Sequence, residues 1–204
     1  CYGASEIAIA SNLNAAGARR KLKSVGVAAA NVEIRILGED DRPVAMGEPG
    51  EIVCKTPMLF GGYYKRPEQT RQAMWGEFFR TGDLGCLDDD GFLFYLGRKK
   101  DLIITGGINV FPADVESVVA ECGLTLEAAA FSIPDERLGE IVVVALVPKS
   151  PESFNLKALR RYCATHLADY QQPRKWFVLD ALPKNAMGKI MKSALQVRYG
   201  NGET

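Results

Sequence analysis

Histidine occurs once in this 204-residue sequence, at His166. The five cysteines (Cys1, Cys54, Cys86, Cys122, Cys163) never form a Cys-x-x-Cys pair, so no structural zinc site can be assembled from them and one histidine. Odd in number and scattered, they give no disulfide framework and read as reduced thiols, which places the protein in the cytoplasm. Neither sign of charge is in excess, with 25 Lys+Arg against 25 Asp+Glu. A non-specific binder of nucleic acid or of a membrane surface needs a basic surplus to neutralise phosphate, so both classes drop out. Long apolar runs are missing too. The longest, Ile141 to Val147, is far short of the roughly 20 residues of a transmembrane helix. No basic-then-apolar leader opens the chain, and no repeat or low-complexity segment interrupts it. The first residue is not methionine, and Cys1-Tyr2-Gly3-Ala4-Ser5-Glu6 reads as the interior of something longer. The chain is therefore expected to be a fragment.

What is present is ordinary globular material: 47% hydrophobic and 25% charged residues, which excludes disordered, collagen-like and coiled-coil classes. The length allows one large domain or two of about 100 residues. Residues 1 to 97 read as β-rich. Val32, Ile34 and Ile36 alternate with Glu33 and Arg35, the period of a half-buried strand. Glu51 to Lys55 predicts a second strand, Pro67 to Met74 a short helix with proline in its first turn, and Gly91 to Leu96 an aromatic-rich strand. Beyond residue 97 the pattern turns mixed. After Phe111-Pro112, the spacing of Val115, Val118, Val119 and Cys122 predicts a helix that Gly123 stops. Phe131 to Pro134 is expected to end a short strand, and the β-branched run from Ile141 a central one. Asn155 is placed to cap a helix carrying Leu156, Leu159, Cys163 and Leu167. Trp176 to Leu179 predicts a last strand, Met191 to Tyr199 a terminal helix, and Gly200 onward a frayed tail. The charged joint Arg98-Lys99-Lys100-Asp101 suits two domains, 1–97 and 98–204, that move against each other.

Four polar clusters lie between the apolar segments: Tyr2 to Glu6; Arg80-Thr81-Gly82-Asp83; Gly97 to Asp101 followed by Thr105-Gly106-Gly107; and Pro183 to Ile190. Singly, each has a plain alternative. Gly-Asp and Gly-Gly pairs make turns, and a lysine-rich loop is usually a solvated face. In collinear order, and with Gly50-Glu51-Ile52 and Gly61-Gly62-Tyr63-Tyr64 between the first two, they resemble the adenylate-forming superfamily of acyl-CoA synthetases, peptide-synthetase adenylation domains and luciferases. The resemblance covers essentially the whole chain and is to the C-terminal portion of such enzymes. It is closest to CoA ligases of fatty or aryl acids, on Asp101 to Glu116, Leu167 to Arg174 and Leu182 to Asn185. Two departures are the lack of a Pro-Gly at Lys21 to Gly26 and Lys192 where an arginine is common.

The resemblance implies a fold with a distorted β-barrel-like subdomain followed by a small mobile α+β domain. It implies that a carboxylic acid and ATP give acyl-AMP and pyrophosphate, and that CoA then displaces AMP, with Mg²⁺ as the metal. The remaining N-terminal portion of the enzyme, which holds the phosphate-gripping loop, is the implied partner, and the fragment alone is expected to be inactive. Lys189 is implied as the catalytic cation between carboxylate and α-phosphate, where charge develops; its alternative is an exposed lysine, and Lys184 and Lys192 are its neighbours. Glu6 is the implied metal-side carboxylate. Ser5, with Gly3 beside it, is expected at the phosphates. Tyr2 is expected to offer a ring to adenine or, alternatively, to be a buried strand aromatic. Asp83 is implied at the ribose, Arg98 at ribose or phosphate, Lys100 at the hinge, and Gly106-Gly107 along the path of the CoA arm or as a plain turn. Two other functions stay open: an adenylation domain loading a carrier protein, and a non-catalytic interaction module.

Overall fold

Alternating apolar residues pair into two separate sheets, one in each of two compact units, Cys1–Lys100 and Asp101 onward. The computed structural model describes residues 1–200. The first unit holds β1 (Tyr2–Ala4), β2 (Ala8–Asn12), α1 (Ala15–Arg20), β3 (Ser24–Ala28), β4 (Glu33–Leu37), β5 (Gly50–Lys55), α2 (Pro67–Gln72), β6 (Met74–Trp75), β7 (Phe78–Leu87) and β8 (Phe92–Arg98). Every pairing is antiparallel, in the order β1-β2-β3-β8-β7-β5-β4, with β6 added beside β7. The barrel-like closure expected from the sequence is not there. The path has two ends, β1 and β4, and among the described residues no ladder joins them. Curvature enters through register shifts at Tyr2/Gly3, Ser24/Gly26, Glu51/Val53 and Leu84/Gly85, which bend strands without closing the sheet. The main core gathers Ile7, Ile36, Ile52, Cys54, Phe79 and Leu93. The unit runs three residues past position 97 because β8 continues to Arg98 and a 3-10 turn follows at Lys99–Asp101.

The second unit holds β9 (Ile103–Thr105), β10 (Ile108–Val110), α3 (Pro112–Glu121), β11 (Thr125–Asp135), β12 (Gly139–Pro148), α4 (Leu156–His166), β13 (Lys175–Val178) and α5 (Lys192–Gly200). β12 is central: antiparallel to β11 and β9, parallel to β13. Its unbroken apolar run follows from burial on both faces. Val142, Val144 and Leu146 meet α3 and α4 through Val115, Val119, Leu159 and Cys163. Ile141, Val143 and Ala145 meet α5 through Leu195 and Tyr199. Proline opens α3 without sacrificing a needed donor. Asn155 Oδ1 caps α4 by accepting from Ala158 N–H at 3.1 Å. The strand ending near Pro134 is not short: β11 spans 11 residues, its Ala129 and Ala130 fully buried. Packing there overrides the low strand preference of alanine. Residues 201–204, where the sequence predicts most of a frayed tail, lie outside the described residues. No helix among the described residues is long and apolar enough to cross a membrane.

Candidate active site

In the first unit, the register of β7 against β8 sets Asp83 opposite Arg98. Gly82, in the left-handed region at φ +67, reaches Asp83 through a kink that Thr81 fastens: its hydroxyl donates to Ile52 O at 2.7 Å and accepts from Asp83 N–H at 3.1 Å. Asp83 is 5% exposed. Its Oδ2 accepts from the Tyr2 hydroxyl at 2.7 Å. Its Oδ1 lies 2.9 Å from Arg98 Nε, an ion pair without hydrogen-bond alignment. Among the described residues, that oxygen is the buried side-chain polar atom left with no hydrogen-bond partner. Buried acceptors are nearly always satisfied, so a carboxylate oxygen that faces Arg98 without an aligned hydrogen bond stands out.

Tyr2 is thus brought to Asp83, but not as a free aromatic face. It is 9% exposed within β1, its ring 6.0 Å from that of Tyr95. Burial, and the neighbouring Asp83 carboxylate, push its phenol well above the ordinary value, so it stays a donor. Cys54 lies in the same core, its thiol pushed up to about 12 chiefly by burial and then by the Asp83 charge. An open surface groove of about 400 Å³ is lined by Gly82, Arg98, Lys99 and Lys100, three of them cationic side chains.

The turn after β1 carries the other first-unit candidates. Gly3 faces Ile9 across the hairpin, and a Cβ there would fall 2.0 Å from Ala8 O. Ser5 is exposed at the apex. Glu6 is half-buried, its Oε1 accepting from the Tyr63 hydroxyl at 2.9 Å and its backbone carbonyl accepting from Phe60 N–H at 2.8 Å. No group of three or more His, Cys, Asp or Glu among the described residues is arranged to hold a metal by itself.

Members of three separate sequence motifs, Glu51, Arg80 and Lys99, come together in one charge cluster beside the joint. Glu51, 5% exposed, accepts through Oε2 from Arg80 at 3.0 Å and Lys99 at 2.9 Å, and Arg80 also pairs with Asp41. Burial alone would raise the Glu51 carboxyl, but the hydrogen bonds from Arg80 and Lys99 hold it below the usual range. Lys100, next in the chain, is exposed. The turn at Asp88-Asp89-Asp90 is a hairpin tip, with Asp88 and Asp90 both paired to Lys21.

In the second unit, Lys189 sits in a loop closed by an antiparallel bridge between Lys184 and Ile190. Gly188 takes φ +79. Lys189 is exposed, and among the described residues its ammonium has neither an ion pair nor a hydrogen bond. Its neighbours are taken: Lys184 pairs with Glu127 at 2.5 Å and Lys192 with Glu116 at 2.7 Å. Gly106-Gly107 joins β9 to β10, both residues at positive φ, +56 and +80. That is the demand of a two-residue type I′ hairpin, so the turn by itself accounts for both glycines.

Two family models match the chain: AMP-binding enzyme over residues 1–64 and AMP-binding enzyme C-terminal domain over residues 114–189. The long-chain-fatty-acid–CoA ligase FadD13 of Mycobacterium tuberculosis is 40% identical over 182 residues, covering 89% of this chain and 36% of that protein. The solved structure of o-succinylbenzoate CoA synthetase from Bacillus subtilis, in complex with its acyl-adenylate intermediate, matches with a TM-score of 0.90 at 36% identity, over 96% of this chain and 40% of its own. The amide bond synthetase McbA from Marinactinospora thermotolerans gives 0.89 at 32% identity, over 97% and 41%. The chain spans little more than a third of the length of such relatives.

Proposed function

Since the chain belongs to the AMP-binding, or adenylate-forming, enzyme family, we propose that it is the C-terminal portion of an ATP-dependent acyl-CoA synthetase for a fatty or aryl acid, working in the cytoplasm. The first unit, Cys1–Lys100, is the last β-rich subdomain of the large domain, and the second, from Asp101, the mobile small domain. The observation that carries the proposal is the Asp83 carboxylate, with one oxygen held by Tyr2 and the other buried against Arg98 in an ion pair that lacks an aligned hydrogen bond. A ribose hydroxyl supplies the missing hydrogen bond.

In the first half-reaction, an oxygen of the acid's carboxylate attacks the α-phosphorus of ATP. The bond to pyrophosphate breaks, and acyl-AMP forms. Negative charge grows between carboxylate and phosphate, where a fixed cation is worth most. Lys189 serves there because its ammonium is the one in its loop without a neutralising partner. Asp83 and Arg98 hold the nucleoside, Ser5 and the Gly3 turn face the phosphates, and Tyr2 acts on the nucleotide chiefly through Asp83. Glu6 fits Mg²⁺, which takes one or two carboxylates and completes its shell with phosphate oxygens and water; when bound, the ion supplies charge neutralisation on the phosphates. In the second half-reaction, the CoA sulfur attacks the acyl carbon, the bond to AMP breaks, and the thiol proton passes to solvent. Rotation at Lys100 brings the Gly106-Gly107 apex beside the CoA arm between the two steps.

Separate assays of the two half-reactions in the full-length enzyme test this. Lys189→Ala is expected to lower adenylate formation by about 10²–10³ while sparing thioester formation from supplied acyl-AMP. Equal losses in both would contradict the role. If a carrier-bound phosphopantetheine accepts the acyl group and free CoA does not, the enzyme is a carrier-loading adenylation domain. A protein that binds no ATP would be an interaction module.

A further inference from the structure

We propose that Asn185 is the positioning residue of Lys189, holding the catalytic ammonium's backbone in place from both sides. This rests on the assignment of Lys189 above. Asn185 Oδ1 accepts from Lys189 N–H at 2.9 Å and from Met187 N–H at 3.0 Å. The Asn185 N–H donates to Lys189 O at 2.9 Å, and its own carbonyl accepts from Gly188 N–H at 2.9 Å. Both backbone polar groups of Lys189 therefore end on one residue four positions earlier. The loop stands on apolar feet: Leu182, 5% exposed, and Ile190 pack into the core under α5, and Met191 N–H donates to Pro183 O at 2.8 Å. Between those feet, among the described residues, Asn185 is the side chain that hydrogen-bonds the loop's backbone. Met187 at its tip is 79% exposed and anchors nothing.

The arrangement has a chemical purpose. A lysine is a flexible point charge, and a cation helps a transition state only if it is already where charge develops. Four rotatable bonds separate the Lys189 ammonium from its Cα, so the protein can fix only the root of the side chain. Asn185 fixes that root. Glu127 and Glu116 meanwhile neutralise Lys184 and Lys192, so the loop presents one cation.

Asn185→Ala removes the acceptor oxygen, whereas Asn185→Thr keeps a short side-chain oxygen able to accept the same local bonds. In the full-length enzyme, Asn185→Ala is expected to lower adenylation turnover by about 10–10²-fold, as for a misplaced catalytic group. The KM for ATP and thioester formation from supplied acyl-AMP should be unaltered, and Asn185→Thr should recover most of the rate. In the 204-residue chain, Asn185→Ala should speed amide hydrogen exchange at Met187 and Lys189 and leave α5 protected, which separates loosening of the loop from loss of fold. Normal adenylation in Asn185→Ala with Lys189→Ala impaired overturns the positioning role alone. An equal loss in Asn185→Ala and Asn185→Thr overturns it as well. Normal adenylation in Lys189→Ala overturns the assignment of Lys189 and the role of Asn185 with it.

Discussion

Lys99 is held to the buried carboxylate of Glu51 at 2.9 Å, one residue before the chain leaves the first unit. Glu51 lies on β5, 48 residues earlier in sequence, so the end of the unit is tied to its middle. The same oxygen takes Arg80.

That pairing sets a pH dependence. The folded Glu51 carboxyl is held below its unfolded value, so its contribution to stability is complete above the unfolded value, about 4.3 for a free glutamate. It is lost as the pH falls further, through the lowered folded value, because the unfolded chain then binds the proton more readily. Glu51→Gln should weaken the first unit at pH 7 by about 1.5–3 kcal/mol, the worth of hydrogen bonds to a charged group, and flatten its acid limb. Urea denaturation of both proteins between pH 7 and pH 3 checks this; parallel acid limbs would contradict it.

Tyr2→Phe keeps the buried ring and removes the hydroxyl that steadies Asp83. The expected result is a rise of about 10-fold in KM for ATP, at the lower end for a hydrogen bond to a carboxylate, together with a loss of about 1–3 kcal/mol of stability, because the buried Asp83 Oδ2 is left without its donor. Asp83→Asn should raise it further. Steady-state kinetics with varied ATP decide the order; unchanged KM in both variants would remove the ribose role.

Lys184 and Lys192 are exposed or half-exposed partners in surface ion pairs. Such pairs contribute about 0–1 kcal/mol, so Lys184→Ala and Lys192→Ala should shift melting temperature slightly and leave both half-reactions near wild-type. A loss in either variant comparable to that of Lys189→Ala would mean that the cation is shared.

Lys100 lies in the 3-10 turn Lys99–Asp101. Replacing it with proline fixes φ near −65° at the proposed hinge. Adenylation should survive while thioester formation fails, and Lys100→Ala should affect both mildly. Identical behaviour of the two variants would locate the function in the side chain and not in rotation.

Much of the local structure is legible in the sequence because it rests on short-range rules. The valine spacing of α3, the asparagine cap of α4 and the double-sided burial of β12 all stand where the pattern puts them. What escapes depends on register and packing. Asp83 meets Arg98 only because β7 pairs with β8 in one register, and Tyr2 reaches Asp83 across 81 positions. β11 outruns its expected length because buried alanines follow their partners, not their propensity. The Lys189 loop belongs to one of the polar clusters, yet Asn185 looks there like any turn residue; its two hydrogen bonds to the Lys189 backbone depend on how the loop folds back on itself.

The cysteines give the molecule two internal clocks. Cys54 lies at 0% exposure in the first unit's core and Cys163 at 1% in the second's. Their thiols are pushed up to about 12 and about 11, chiefly by burial, so neither reacts until its own surroundings open. The rate at which each takes up an alkylating reagent therefore times the opening of its own unit. Read peptide by peptide, one labelling course resolves two stabilities that a single melting curve would merge.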